Sequence, residues 1–251
     1  MAAAFGFTVD VRSNVADVLR AVDDLQRNKV PFYTAYALTK TAQDVRAAQY
    51  ASMREVFDRP TRFTLNSLFV RPATKHNLTA IVFFKEGFGS VPAFRYLGPQ
   101  VVGGARVKKS HERALERAGI LKSGEFVVPG EGVKLDAHGN MRGGDITRIL
   151  SMLGASPDPT QNTTARSRRT RKGRARGSYF VLRDRGAPDG IYHRSGLREI
   201  KPVMIFVRRP QYRKRLPWEQ TARRVVQQRF AHHFREGVRR FPPRRARRLA
   251  A

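Results

Sequence analysis

The chain has 251 residues, 41% of them hydrophobic, no cysteine, and a formal net charge of +29. That length and apolar content suffice for one large core or two small ones and exclude a fully disordered polymer. The missing cysteines exclude disulfides and thiolate metal sites.

The charge is uneven. Residues 1–150 carry 22 Lys+Arg against 14 Asp+Glu, whereas residues 151–251 carry 27 against 6. Such a field calls for an anionic partner: nucleic acid first, an acidic protein surface second, anionic lipid third. The opening MAAAFGFTVD lacks the basic start and apolar run of a signal peptide. IVFF (81–84) and VMIFV (203–207) are strand-length and too short to span a bilayer. The expectation is a soluble chain made in a reducing cytosol.

Taken in chain order, Asn14 is placed to cap a helix whose apolar face is Val15, Val18, Leu19, Val22 and Leu25. A longer helix follows Pro31 and runs to about Phe57, with Ala35, Leu38, Ala42 and Val45 along one face and small residues permitting close packing. Pro60 ends it. LFVRP (68–72) and LTAIVFF (78–84) read as an antiparallel hairpin. GFGSVPAFRYLGPQVVGGARV is broken by glycine and proline and reads as a shaped connection. KKSHERALERAGIL is a short helix closed by Gly119. A strand at EFVVP, a turn at DAHGN (136–140) and a helix capped by Asp145 come next, with Ile146, Ile149, Leu150 and Leu153 at helical spacing.

From about Ala155 to Gly177 large apolar residues are almost absent, so this stretch reads as an extended Arg-rich arm or loop. SYFVLRD (178–184), IYHRSG and KPVMIFV (201–207) read as strands returning to the first sheet. A C-terminal helix over 217–241 carries an apolar stripe of Trp218, Ala222, Val225, Phe230, Phe234, Val238 and Phe241. The stripe is most simply core, with a subunit-interface role open for part of it. The expected fold is a single α+β domain over 1–251: an antiparallel or mixed sheet flanked by helices, with a long basic loop and a long C-terminal helix.

Catalytic and metal motifs are weak. His232 and His233 are adjacent on a helix and point apart; His111 lacks a second histidine four residues on. DAHGN has too few carboxylates for a calcium loop, with Thr147 where the bidentate Glu would stand. Gly98, Gly103 and Gly104 form no phosphate-binding loop. Asp136 and Asp145 suit a turn and a cap better than a catalytic pair. No enzymatic activity and no cofactor or metal are expected.

The basic segments are the stronger signal. Arg166, Arg168, Arg169, Arg171, Lys172, Arg174 and Arg176 make seven of eleven consecutive residues, and Arg244, Arg245, Arg247 and Arg248 repeat the chemistry near the end. Such runs bind phosphates by counterion release without sequence preference. The first run has no aromatic residue for base stacking. These eleven residues are the candidate contacts for nucleic acid or an acidic partner.

Several stretches resemble one family. KVPFYTAYALTKTAQDVRAAQ, YLGPQVVGGARVKKSHERALERAGIL, LDAHGNMRGGDITRILSML and GIYHRSGLREIKPVMIFVRRPQYRKRLPWEQTARRVV are similar to segments of tailed-bacteriophage tail-completion proteins, the minor tail protein Z type. The resemblance covers about two thirds of the chain and leaves out the Arg-rich insertion at 155–177. It implies a structural virion protein at the neck or head-proximal tail end, made in the host cytoplasm. It further implies a homo-oligomeric ring of six subunits that completes the tail and joins it to the head. The implied partners are the tail tube, the tail terminator, the head-tail connector and double-stranded DNA in the channel, with no membrane. The alternative is a non-catalytic cellular RNA- or DNA-binding protein of ribosomal-accessory type.

Overall fold

The computed structural model describes residues 29–85, 92–170, 177–196 and 199–242, apart from the Arg168 side chain. The helix expected after Asn14 lies outside the described residues. The fold is α+β, and its sheets are antiparallel. Contacts divide the chain into two compact units: residues 1–102 with 214–251, and residues 103–213.

The first unit is built on α1 (Val30–Val56), whose first turn contains Pro31, where a missing N–H costs nothing. Leu38, Ala42, Val45 and Met53 are buried along one face. They meet α7 (Trp218–Arg240), which lays Trp218, Ala222 and Val225 into the same core, while Phe234 packs with Tyr33 and Ala37 in a second cluster. Most of the stripe on α7 is therefore core within its own unit. Gly237 makes this close: a Cβ there would lie 3.0 Å from the Tyr36 ring. A short α2 (Arg62–Leu65), capped by the Thr61 hydroxyl, leads into β1 (Leu68–Arg71) and β2 (Ile81–Phe84). These pair as the expected hairpin, Leu68 opposite Phe84 and Arg71 opposite Ile81. Phe84 packs on Trp218 with ring centroids 4.7 Å apart, and Gln49 Nε2 donates to the Trp218 carbonyl at 2.7 Å.

The glycine- and proline-broken stretch is not only a connection. Residues Phe94–Val102 form α3, with Pro99 inside it. Pro99 removes one intrahelical hydrogen bond, but Leu97, Gly98, Pro99 and Val101 are all buried, and this apolar contact outweighs the local penalty.

The second unit opens with β3 (Gly104–Ala105) and closes with β8 (Gln211–Tyr212), which pair with each other. Between them lie α4 (Ser110–Arg117), β4 (Glu125–Pro129), α5 (Gly143–Met152), α6 (Ala165–Arg169), β5 (Ser178–Leu182), β6 (Gly190–Arg194) and β7 (Ile200–Arg208). Gly119, at φ 71, closes α4, and the Ile120 N–H returns to the Leu115 carbonyl at 2.9 Å. The last strands do not return to the β1–β2 hairpin. They form a separate sheet in the order β4-β7-β6-β5. Pro202 is tolerated in central β7 because the register slips between Ile191 and Tyr192. One core joins Leu115 of α4, Ile149 and Leu150 of α5, and Val127, Ile191, Met204 and Phe206 of the sheet.

Two further expectations are corrected. Asp145 does not cap α5: Arg142 stands at the cap, and Asp145 sits in the first turn, paired with Arg148. The described part of 155–177 is also not extended. Ala155 is buried, Pro159–Gln161 forms a 3-10 turn, and α6 follows with Thr164 as its cap. Thr163 N–H donates to the Ser151 carbonyl at 3.0 Å, and Ser151 Oγ donates to the Gln161 carbonyl at 2.6 Å. Short polar side chains thus tie the segment to the end of α5 without an apolar core of their own.

The most buried charge in the second unit is Glu112, with a side chain of 0% exposure. Arg106 binds both its oxygens, at 2.5 and 2.6 Å. The N–H groups of Lys109 and Val127 donate to it at 2.7 and 2.8 Å. Burial alone would raise the Glu112 pKa, but Arg106 and these N–H donors hold it below the usual carboxylate range. Beside it, burial pushes the His111 pKa down to about 4, with Lys109 and Arg106 reinforcing the shift and Glu112 opposing it.

Trp218 and Glu112 should therefore each dominate the stability of their own unit. Trp218→Ala should lose about 3–5 kcal/mol in urea unfolding followed by circular dichroism. Glu112→Gln strands Arg106 and should lose about 3–5 kcal/mol at neutral pH. In the parent protein the unfolded chain takes a proton at His111 before the folded one does. Stability should therefore decline as pH falls from 6.5 towards 4. Glu112 adds a further loss as pH falls through its lowered folded value.

Candidate nucleic-acid interface

The described carboxylates are mostly engaged inside the protein. Glu112 is held by Arg106, and Glu116 by Lys108 at 2.6 Å. Arg183 bridges Glu125 at 2.8 Å and Asp189 at 3.2 Å. Asp44 accepts from Arg229 at 2.9 Å and faces His233 at 2.7 Å. The Asp44 carboxyl is held below its ordinary value: burial works against this, and hydrogen bonds from Arg229 and His233 prevail. Glu199 meets Lys201 at 2.7 Å. Asp136 and Asp158 accept backbone N–H groups of their own turns.

Of the eleven candidate residues, Arg166 and Arg169 lie exposed on α6, and Arg168 falls between them on the same helical turn. Arg171, Lys172, Arg174, Arg176, Arg244, Arg245, Arg247 and Arg248 lie outside the described residues. At the far end of the run Gly177 has φ 69, and a Cβ there would sit 2.3 Å from the Arg194 carbonyl oxygen. β5 is thus preceded by a position that only glycine fits.

Helical phase adds residues that runs of basic letters did not pick out. Arg224, Arg235 and Arg239 are exposed on α7, and none of them forms an ion pair among the described residues. At 100° per residue they fall within an arc of about 60°, spread along about 22 Å of helix axis. The buried face of α7 is turned to α1, so this stripe faces solvent. Arg235 Nε donates to the Ala231 carbonyl at 3.2 Å, which leaves its charge uncancelled. The signal was available as an 11- and 4-residue spacing once the helix was placed. No helix among the described residues is long and apolar enough to cross a membrane.

Chemically, a row of guanidinium groups fixed on a regular helix can meet successive phosphates. Each contact releases condensed counterions and carries no base information. Compared with known protein families, with curated proteins and with solved structures, the chain finds no match.

If the stripe contacts phosphates, Arg224→Ser/Arg235→Ser/Arg239→Ser should fold normally and bind duplex DNA more weakly. The slope of log K against log salt should shrink by about 0.9 for each phosphate that the variant no longer neutralises. The parallel Arg166→Ser/Arg169→Ser variant measures the share of α6. A slope unchanged in both variants would remove these helices from the interface.

Proposed function

We propose that this chain is a structural, non-catalytic subunit of a tailed-phage virion. It forms a homo-oligomeric ring of six at the neck or head-proximal tail end, completes the tail and joins it to the head. The observation that carries this reading is the division of charge. Most described carboxylates are engaged by groups of the same chain, while Arg166 and Arg169 of α6 and the arginines of α7 are exposed. The family-like stretches of sequence support the same assignment. A ring brings copies of these basic helices around a channel through which DNA of any sequence must pass, and phosphate contacts without base readout suit that task. The tail tube, the tail terminator and the head-tail connector are the protein partners in this reading.

Deleting the gene from the phage genome tests it. Filled heads and tails should accumulate unjoined under electron microscopy, and titre should collapse until the protein is supplied in trans. Normal joined, infectious particles would overturn the assignment. Native mass spectrometry of the purified protein should give a closed ring. A monomer that prefers structured RNA to duplex DNA would favour the cellular RNA-binding reading instead.

A further inference from the structure

Helix α7 also carries an acid–histidine cluster in which His233 is buried against α1 and His232 is exposed. His232 and Glu236 are four residues apart and His233 and Glu236 three, so Glu236 reaches back over both imidazoles. One donor atom from each of the three lies within 4.8 Å of the others. The adjacency of the two histidines argued against a metal pair in the sequence. The glutamate one turn on changes that geometry.

His233 is the centre of the cluster and is buried, at 6% exposure. Its Nε2 lies 2.7 Å from Asp44 Oδ2, and its Nδ1 lies 3.2 Å from Glu236 Oε2. Both ring nitrogens therefore face carboxylate oxygens, while a neutral imidazole has only one N–H to donate. A proton or a metal ion on Nδ1 would each satisfy this contact; with the one N–H given to Asp44, the Nδ1 lone pair faces Glu236 Oε2 and leaves a place for a metal ion. Ligand bonds of about 2.0–2.1 Å on each side would span the 3.2 Å gap at an angle of about 100°, close to tetrahedral.

The surroundings resemble an outer shell. Asp44 orients the imidazole from α1, and Arg229 orients Asp44 at 2.9 Å. Tyr36, also on α1, donates its hydroxyl to Glu236 Oε1 at 3.0 Å, which leaves Oε2 for a ligand bond. His232 is exposed and supplies the third donor from the solvent side, where an ion can enter and keep water as a further ligand.

We propose that His232, His233 and Glu236 bind a divalent transition-metal ion of the zinc class, with Asp44 and Tyr36 as positioning residues. Two imidazoles and a carboxylate suit zinc, cobalt or nickel rather than calcium or magnesium. Because the positioning residues stand on α1 and the ligands on α7, the ion would clamp the two long helices of the first unit. The neighbouring cations Arg229 and Arg235 oppose the ion, so affinity should be below that of a closed four-ligand structural site.

Cobalt is the probe. Tag-free full-length protein, stripped with chelator and titrated with Co²⁺ at pH 7.5, should develop visible ligand-field bands that saturate near one equivalent. Zn²⁺ should displace them and raise the melting temperature. His232→Ala removes an exposed side chain and should leave the circular dichroism spectrum unchanged while weakening Co²⁺ binding at least tenfold. Glu236→Gln should do the same, and Asp44→Asn should weaken binding about 10–100-fold. Absence of one-equivalent Co²⁺ binding by the parent protein would overturn the proposal. So would His232→Ala and Glu236→Gln variants that bind like the parent, since the ion would then sit on other histidines.

Discussion

A chain with 49 basic side chains and 20 acidic ones must decide where its carboxylates go. In this fold they act as long-range ties. Glu112 joins the start of α4 to β4 through Arg106 and the Val127 N–H. Glu125 and Asp189 converge on Arg183, which also donates to the Ile120 carbonyl at 2.8 Å and covers the Phe206 ring. Asp44 and Glu236 link α1 with α7. A buried ion pair such as Arg106–Glu112 adds little net stability over apolar packing, because desolvation offsets its attraction, but a misplaced Glu112 would leave Arg106 buried without its counter-charge. The Arg229–Asp44 pair is half exposed, so losing it costs less. The same arrangement leaves outer arginines such as Arg224 and Arg239 without counter-charges among the described residues.

Legibility in the sequence followed the range of the interaction. Helices α1, α4 and α7 were readable from spacing, Pro31 and Gly119, because those signals act within a turn or two. The β1–β2 hairpin was readable because its strands are neighbours. Helix α3 was not, since Pro99 and Gly98 argue locally against a helix that burial of Leu97 and Val101 sustains. Nor could local pattern say that β5, β6 and β7 join β4 rather than the hairpin. That choice is made by apolar contacts among Val127, Ile191 and Met204, residues far apart in the chain.

The candidate sites divide along the same line. Dense basic letters pointed to Arg166 and Arg169, whereas Arg224, Arg235 and Arg239 emerge only when α7 is set in phase against its buried face. The His232, His233 and Glu236 spacing was present in the letters. Asp44, which gives His233 its orientation, stands 189 positions earlier. On α7, then, Arg224, Arg235 and Arg239 face solvent and His233 faces Asp44 of α1, while the exposed His232 stands beside the arginine stripe in helical phase.

The pairing of Gly104 with Tyr212 and of Ala105 with Gln211 brings the two ends of the second unit together. That unit is therefore a closed excursion from the first, and the chain completes it before the helix that follows Lys214 exists. During synthesis α1 and the β1–β2 hairpin emerge early, but Leu216, Trp218 and Ala222, which complete their core, arrive last. The early half of the first unit must wait with its apolar face uncovered while the whole second unit is made. A pause or truncation after residue 213 would thus yield an internally complete second unit attached to a first unit that cannot close.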